Sequence, residues 1–297
     1  MSRILTFLLA LSILGSPSWG AGLTLVYPPP ESAGDERHLY YWQLLDAALA
    51  SNRDQYGAYS LQAYPTAMTF QRGVAEVESG NGRVNIVARA TNIELERRLR
   101  PIRIPLDKGL LGTRLFLVMP PTLARLTKVR TLADLQKFTI GQSPAWSDAR
   151  ILEAAGFSLV LSDHYDSLFT MLGAGRFDLF SRGVIEIDSE LRAKGGAVPG
   201  MMIDPNFALQ YPLPRYYFVP RTAEGERMAE RIEDGLLRLR RSGEFERRYQ
   251  AWKRLVLKDV NLGGRTVFRL ANPQLGAETP LADKFWWDDL ASELASR

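Results

Sequence analysis

Residues 83–120, RVNIVARATNIELERRLRPIRIPLDKGLLGTRLFLVMP, constrain the fold more than any other stretch. They open on a buried-strand pattern, VNIVA, and close on a second, LFLVM. Between the two lies an Arg-rich segment too charged to be core. Runs this rich in apolar residues read as strands covered on both faces, and helices supply such cover in α/β proteins. Strand ends that deliver charged residues into a loop are how open α/β sheets build binding sites.

The flanking chain repeats this alternation. LTLVY at 23–27 reads as a strand stopped by Pro28, Pro29 and Pro30, and ESAGDER at 31–37 as a polar loop at its C-terminal end. Residues 40–51 read as a helix with Leu44, Leu45, Ala48 and Leu49 on one side. A half-exposed strand is expected at 59–64. A helix at 68–79 carries Phe70, Val74 and Val77, and Gly80-Asn81-Gly82 ends it. Strand, helix, strand, helix, strand implies parallel pairing with helical crossovers.

After a strand at 114–119, Pro120-Pro121 should break the chain before a second α/β series. Its expected parts are a capping pattern at Thr131 and Asp134, strands at 138–141, 159–161 and 177–180, and helices begun by Ser147 and Asp163. A helix at 184–194 and a strand at 216–219 follow. Met228, Ile232, Leu236 and Leu239, then Phe245, Tyr249 and Trp252, fall at helical spacing. Residues 261–297 read as an extended tail pinned by Trp286 and Trp287.

Composition removes several chemistries. There is no cysteine, so disulfides, Cys-ligated zinc and Cys nucleophiles are excluded. His38 and His164 are the only histidines, and neither stands at metal-ligand spacing. No nucleotide-binding glycine motif occurs, and a net charge of +4 over 297 residues is far from a nucleic-acid footprint. Gly141-Gln142-Ser143-Pro144-Ala145 sits between a strand and a helix like a nucleophile elbow, but Pro144 removes the N–H that an oxyanion hole would use. At the N-terminus a basic start, the apolar run ILTFLLALSIL and the small residues Ser18 and Gly20 read as an export signal cleaved after Gly20, which puts the chain in the periplasm.

The pieces VNIVARATNIELER, TLADLQKFTIG, SDARILEAAG, HYDSLFTML, AGRFDLFSRG and SGEFERRYQAW, in this order, resemble bacterial solute-binding protein family 3, with the type II periplasmic binding-protein fold. The resemblance implies two α/β lobes, each a mixed or parallel sheet flanked by helices, joined by two crossover strands. Lobe 1 would hold residues 21–116 and 217–260, lobe 2 residues 117–216, and the tail would pack on lobe 1. The crossovers would be the strands at 115–118 and 216–219. A solute would bind in the interlobe cleft, for uptake or sensing, with no cofactor and no turnover. Its partners would be a small solute and a membrane permease or sensor receptor, with no nucleic acid, and the protein would be a monomer. A cleft enzyme using Glu31 or Glu186, and a degenerate clamp acting in protein interaction, are the competing expectations.

Residue by residue, the resemblance implies Arg97 as a carboxylate clamp, since its planar fork suits that group, with Asn92 as a polar contact five positions earlier. The acid that usually meets a ligand ammonium is replaced by Gly183, preceded by Arg182. The helix start of lobe 2 is altered to Ala145-Trp146-Ser147-Asp148, where Trp146 could stack on a planar solute and Ser147 and Asp148 face the cleft. An anionic or aromatic solute is therefore expected. The patterns YPPPES, RPIRIPLDKGLLG and RFDLFSRG resemble stand-alone exported proteins of this fold, and add Tyr27 and Glu31 to the candidates.

Overall fold

The structure, a computed structural model, describes residues 22–29 and 39–295. The expected leader, the 31–37 loop with Glu31, and His38 lie outside the described residues.

The chain begins with β1 (Leu23–Tyr27), followed by α1 (Leu39–Ser51), the short α2 (Arg53–Tyr56) and β2 (Tyr59–Ala63). β1 and β2 pair in parallel with Leu23 opposite Tyr59. The crossover helix α1 buries Leu44, Leu45, Ala48 and Leu49, the face its spacing predicts, together with Tyr40, Tyr41 and Trp42. α3 (Phe70–Ser79) is capped by the Thr69 hydroxyl and ends at Gly80, whose φ of 63° is left-handed. β3 (Val87–Ala90) starts later than VNIVA suggests. The reason is Asn85, whose side chain accepts from Val26 N at 2.8 Å and donates to Thr24 O at 2.8 Å. A side chain thus ties this segment to β1 where a regular ladder would run. α4 (Ile93–Arg98) and β4 (Arg100–Ile102) complete this part.

β5 (Thr113–Val118) is buried at every position. Pro120 does not break the chain after it: Pro120 and Pro121 open α5 (Pro120–Leu126), where a proline's missing N–H costs nothing. α6 (Leu132–Leu135) carries the expected capping box of Thr131 and Asp134. β6 (Ile140–Gln142), α7 (Ser147–Ala154), β7 (Leu159–Leu161), α8 (Tyr165–Gly173), β8 (Leu179–Gly183) and α9 (Ile187–Lys194) follow. Two expected caps are corrected. Ser147 is the first helical residue, behind Trp146 at the cap position, and His164 rather than Asp163 precedes α8; neither cap position makes a side-chain bond. α9 begins three residues late because the chain first turns back through Glu186 N to Gly183 O at 2.8 Å.

β9 (Met202–Ile203) and β10 (Phe207–Gln210), like β4 earlier and β12 below, escape the sequence patterns; β11 (Arg215–Val219) comes next. α10 (Ala223–Arg241) and α11 (Glu244–Leu257) bury the predicted Met228, Ile232, Leu236, Leu239, Phe245, Tyr249 and Trp252. α10 lies so close to α1 that a Cβ on Gly235 would fall 2.3 Å from the Ala48 carbonyl. β12 (Thr266–Arg269) and α12 (Ala291–Ala295) close the chain.

Pairing sorts the strands into two groups. β3 and β4 flank β11 in an antiparallel three-stranded sheet, beside β1 and β2. The other seven form one mixed sheet ordered β12, β10, β5, β8, β6, β7, with β9 paired to the far end of β5. β5 and β11 therefore do not pair with each other as crossovers. The chain changes sheet before β5 and before β11, and those two connections run side by side: Leu106 N donates to Arg215 O at 3.0 Å, and Tyr211 N to Gly112 O at 3.1 Å. Gly112 is required there, because a Cβ would sit 1.9 Å from Tyr211 O. The motif RPIRIPLDKGLLG thus builds the first connection.

The tail does not keep to the first group of sheets. β12 joins β10 in parallel, Thr266 opposite Phe207, at the edge of the seven-stranded sheet. The tail then returns to α11, where Trp286 packs edge-on against Phe245 at 5.1 Å. Among the described residues no helix is long and apolar enough to cross a membrane.

Candidate functional site

The two groups of strands meet where α4 and α7 begin. Asn92 caps α4 by accepting from Leu95 N at 2.8 Å, which leaves its amide to donate to Ser147 Oγ on α7 at 3.3 Å. These two expected contact residues, one from each group, are brought together directly.

Beneath α7 lies a buried ionic cluster. β5 carries one arginine in an otherwise apolar core strand, Arg114, and strand alternation points it to the face that α7 covers. There it pairs with Asp148 and receives further support from Glu186 at 3.6 Å. Arg114 Nε donates to the Tyr211 hydroxyl, which itself donates to Asp148. Burial alone would lower the Arg114 pKa, but the charges of Asp148 and Glu186 outweigh it and hold the guanidinium above its ordinary range. Burial, then Asp148, push the Tyr211 hydroxyl well up, so it remains a donor.

Arg182 continues the cluster from β8. It forks onto Glu190 with two bonds of 2.6 Å, lies 3.2 Å from Glu186, and its guanidinium stands 4.6 Å from the Trp146 ring centre. The Tyr165 hydroxyl donates to Glu190 at 2.8 Å. Among the described residues, the carboxylates of Asp148, Glu186 and Glu190 thus gather around the guanidiniums of Arg114 and Arg182 in a region of low solvent access. A Cβ on Gly183 would lie 3.0 Å from Glu186 Oε2. Arg114 Nη1 lies at the same distance from that point, so position 183 faces a carboxylate and a guanidinium together. Deeper in, Gln142 Oε1 and Ser181 Oγ are buried without a hydrogen-bond partner among the described residues, and such atoms normally take a donor from water or ligand.

The remaining candidates are separate. Arg97 is exposed on the last turn of α4 and makes no hydrogen bond or ion pair among the described residues, whereas Arg98 beside it is forked onto Glu78. Tyr27 stacks on Trp42 with ring centres 4.2 Å apart, at the end of β1. Ser143 is buried and its hydroxyl accepts from Ala145 N; His164 is exposed, and among the described residues no imidazole bonds Ser143. Among the described residues no three His, Asp or Glu side chains form a metal-ligand set.

Arg114, Tyr211 and Glu190 were not expected from the sequence. The signal for Arg114 was a lone charge inside an apolar strand; Tyr211 and Glu190 lie 97 and 8 residues from the arginines they touch, and nothing local marks them. A second buried pair was also missed. Asp107, fully buried at the first connection, accepts from the Tyr41 hydroxyl and from Gly109 N, each at 3.2 Å, and lies 3.8 Å from Arg215. Burial outweighs that arginine and pushes the Asp107 carboxyl up to about 6.

Two α/β units joined by paired connections, with helix starts from both meeting over a polar cluster, define the class of two-lobe binding folds. No protein-family model and no curated protein matches the sequence. Solved structures do match. An ancestral arginine-binding protein superposes with TM-scores of 0.52 bound to arginine and 0.53 bound to glutamine, at 16% and 15% identity. Both cover 78% of this chain and 97% of that one. A periplasmic binding protein of Salmonella typhimurium with high arginine specificity gives 0.50 at 16% identity, covering 78% and 99%. An ancestral amino acid-binding protein described as a precursor of cyclohexadienyl dehydratase gives 0.51 at 11%, covering 78% and 94%. The chain has the fold of the periplasmic solute-binding proteins.

Proposed function

We propose that the chain is exported and works as a periplasmic clamp that captures a small polar solute between two lobes, for uptake through a membrane permease or for signalling through a sensor receptor. One lobe is built on β1–β4 and β11, the other on the seven-stranded sheet, and closure turns about the paired connections. The solute is of the amino-acid type, with a carboxylate held by Arg97 and an amine directed to the acid-rich cluster. Glu186 is the observation that carries this reading, because its carboxylate lies 3.0 Å from where a Cβ on Gly183 would be, beside the Arg114 guanidinium it pairs with. The earlier expectation of an anionic or aromatic solute rested partly on Arg182 and Trp146. Arg182 is neutralised by Glu190 and lies over the Trp146 ring, so both are already engaged. Arginine and glutamine, the ligands of fold neighbours, are of the proposed type.

A thermal-shift panel of arginine, glutamine, dicarboxylates and aromatic acids tests the reading. A solute at 100 times its Kd adds about 2.7 kcal/mol to the folded state. Arginine or glutamine should raise the midpoint, and Arg97→Ala should abolish the rise. A response confined to dicarboxylates or aromatic acids overturns the amine assignment. Solute recovered unchanged after long incubation separates binding from the competing reading of a cleft enzyme.

A further inference from the structure

The tail between β12 and Trp286 crosses from one sheet group to the other through the place where α4 and α7 meet. Asn272 Nδ2 donates to Pro212 O on the second connection at 2.8 Å, and Asn272 Oδ1 accepts from Gln274 N. Gln274 then touches both units at once. Its carbonyl accepts from Ile93 N, the first residue of α4, at 2.9 Å. Its side-chain amide donates to Ser147 O, the first residue of α7, at 2.7 Å. Four residues on, Glu278 pairs with Arg103 at 2.6 Å, and Thr279 is buried. Ile93 follows the expected contact residue Asn92, and Ser147 is itself one. Gln274 therefore takes up polar groups next to the expected contact residues of both units, and it is half-buried in doing so.

We propose that residues 272–279 are a built-in strap: they hold the lobes together when no solute is present, and Gln274 competes with solute for the groups at the mouth of the cleft. This rests on the clamp reading above. Peptide groups and a carboxamide offer the same acceptor and donor chemistry as an amino-acid solute, so Gln274 itself satisfies the first N–H of α4 and a carbonyl of α7. Solute entry then requires the strap to leave, and the apparent affinity of the intact protein is reduced by the fraction of molecules still strapped.

The absence of cysteine allows a direct test. Arg53→Cys and Arg176→Cys, both exposed and one in each unit, take spin labels whose separation is read by pulsed dipolar spectroscopy. Two strap variants are compared with the otherwise unchanged chain. Gln274→Ala removes the bond to Ser147, and Ile93→Pro removes the donor to Gln274 at a first-turn position where proline suits a helix. Neither touches the packing of Trp286. The intact protein without solute should give one short separation, and each variant should add a longer one. Arginine or glutamine, in a parallel titration, should bind the variants about tenfold more tightly, as when a tenth of intact molecules are unstrapped. Separations unchanged in both folded variants, or a broad open distribution in the intact protein, overturn the strap. Lobes that open in the variants while no solute binds leave the strap standing and remove the solute reading. Equal solute affinity in all three chains removes the competition and leaves the clamp.

Discussion

Arg182 and Glu190 are both nearly excluded from water, and each satisfies the other's charge through two short bonds. Removing one partner leaves a buried charge, a loss of about 3–5 kcal/mol. Arg182→Ala should therefore lower the urea midpoint strongly, while joint replacement of both by methionine should cost much less. Asp107 gives a pH-dependent counterpart. Its carboxyl titrates near pH 6 in the folded protein against an ordinary value of 3.8, so the ionised form is penalised by folding. Its contribution is full below about pH 4 and is lost as pH rises through about 6, a swing of about 3 kcal/mol. Asp107→Asn should remove that slope. The difference between wild-type and variant stability in urea, measured from about pH 4 to pH 7, should fall as pH rises; a flat or rising difference would refute the assignment.

At the scale of elements, the paired connections are the least forgiving part. Gly109 stands at φ 71° with the Trp287 ring 2.6 Å from where its Cβ would be, and Gly112 lies against the Tyr211 backbone. Gly112→Ala cannot be relieved by a side-chain rotation and should cost at least about 2 kcal/mol, read from thermal or urea unfolding. Gly109→Ala adds left-handed strain and a clash that would push Trp287 off. These close contacts were invisible in DKGLLG, because they arise from chain about a hundred residues away or further. Elements with strong periodicity were legible: α1 and α10 bury the faces their spacing marks, and β1, β7 and β11 fall where short apolar runs predict. β10 and β12 were not. Each has four residues, no alternation to read, and pairing that depends on a partner distant in sequence. Prolines 120 and 121 misled for a different reason, since the residue that ends one element is well suited to begin the next helix.

Across the whole molecule, the site divides along the same line. Asn92 and Ser147 were readable as positions because helix starts are local features, and the structure joins them. The state of Arg182, Trp146 and Asp148 was not readable, since it depends on Glu190 from α9, Tyr211 from the second connection and Arg114 from β5 converging on them. That convergence engages Arg182 and Trp146 and sets the Glu186 carboxylate beside Gly183, which is the ground for the amine-bearing solute proposed above. Titration calorimetry of the protein beginning at Ala21 with arginine and glutamine, repeated on Glu186→Gln, tests this claim most directly. Saturable 1:1 binding of at least one of them, weakened about tenfold or more by the substitution, is the predicted result; a charge-assisted hydrogen bond is worth about 1.5–3 kcal/mol. Tight binding of a dicarboxylate with Glu186→Gln without effect would contradict it.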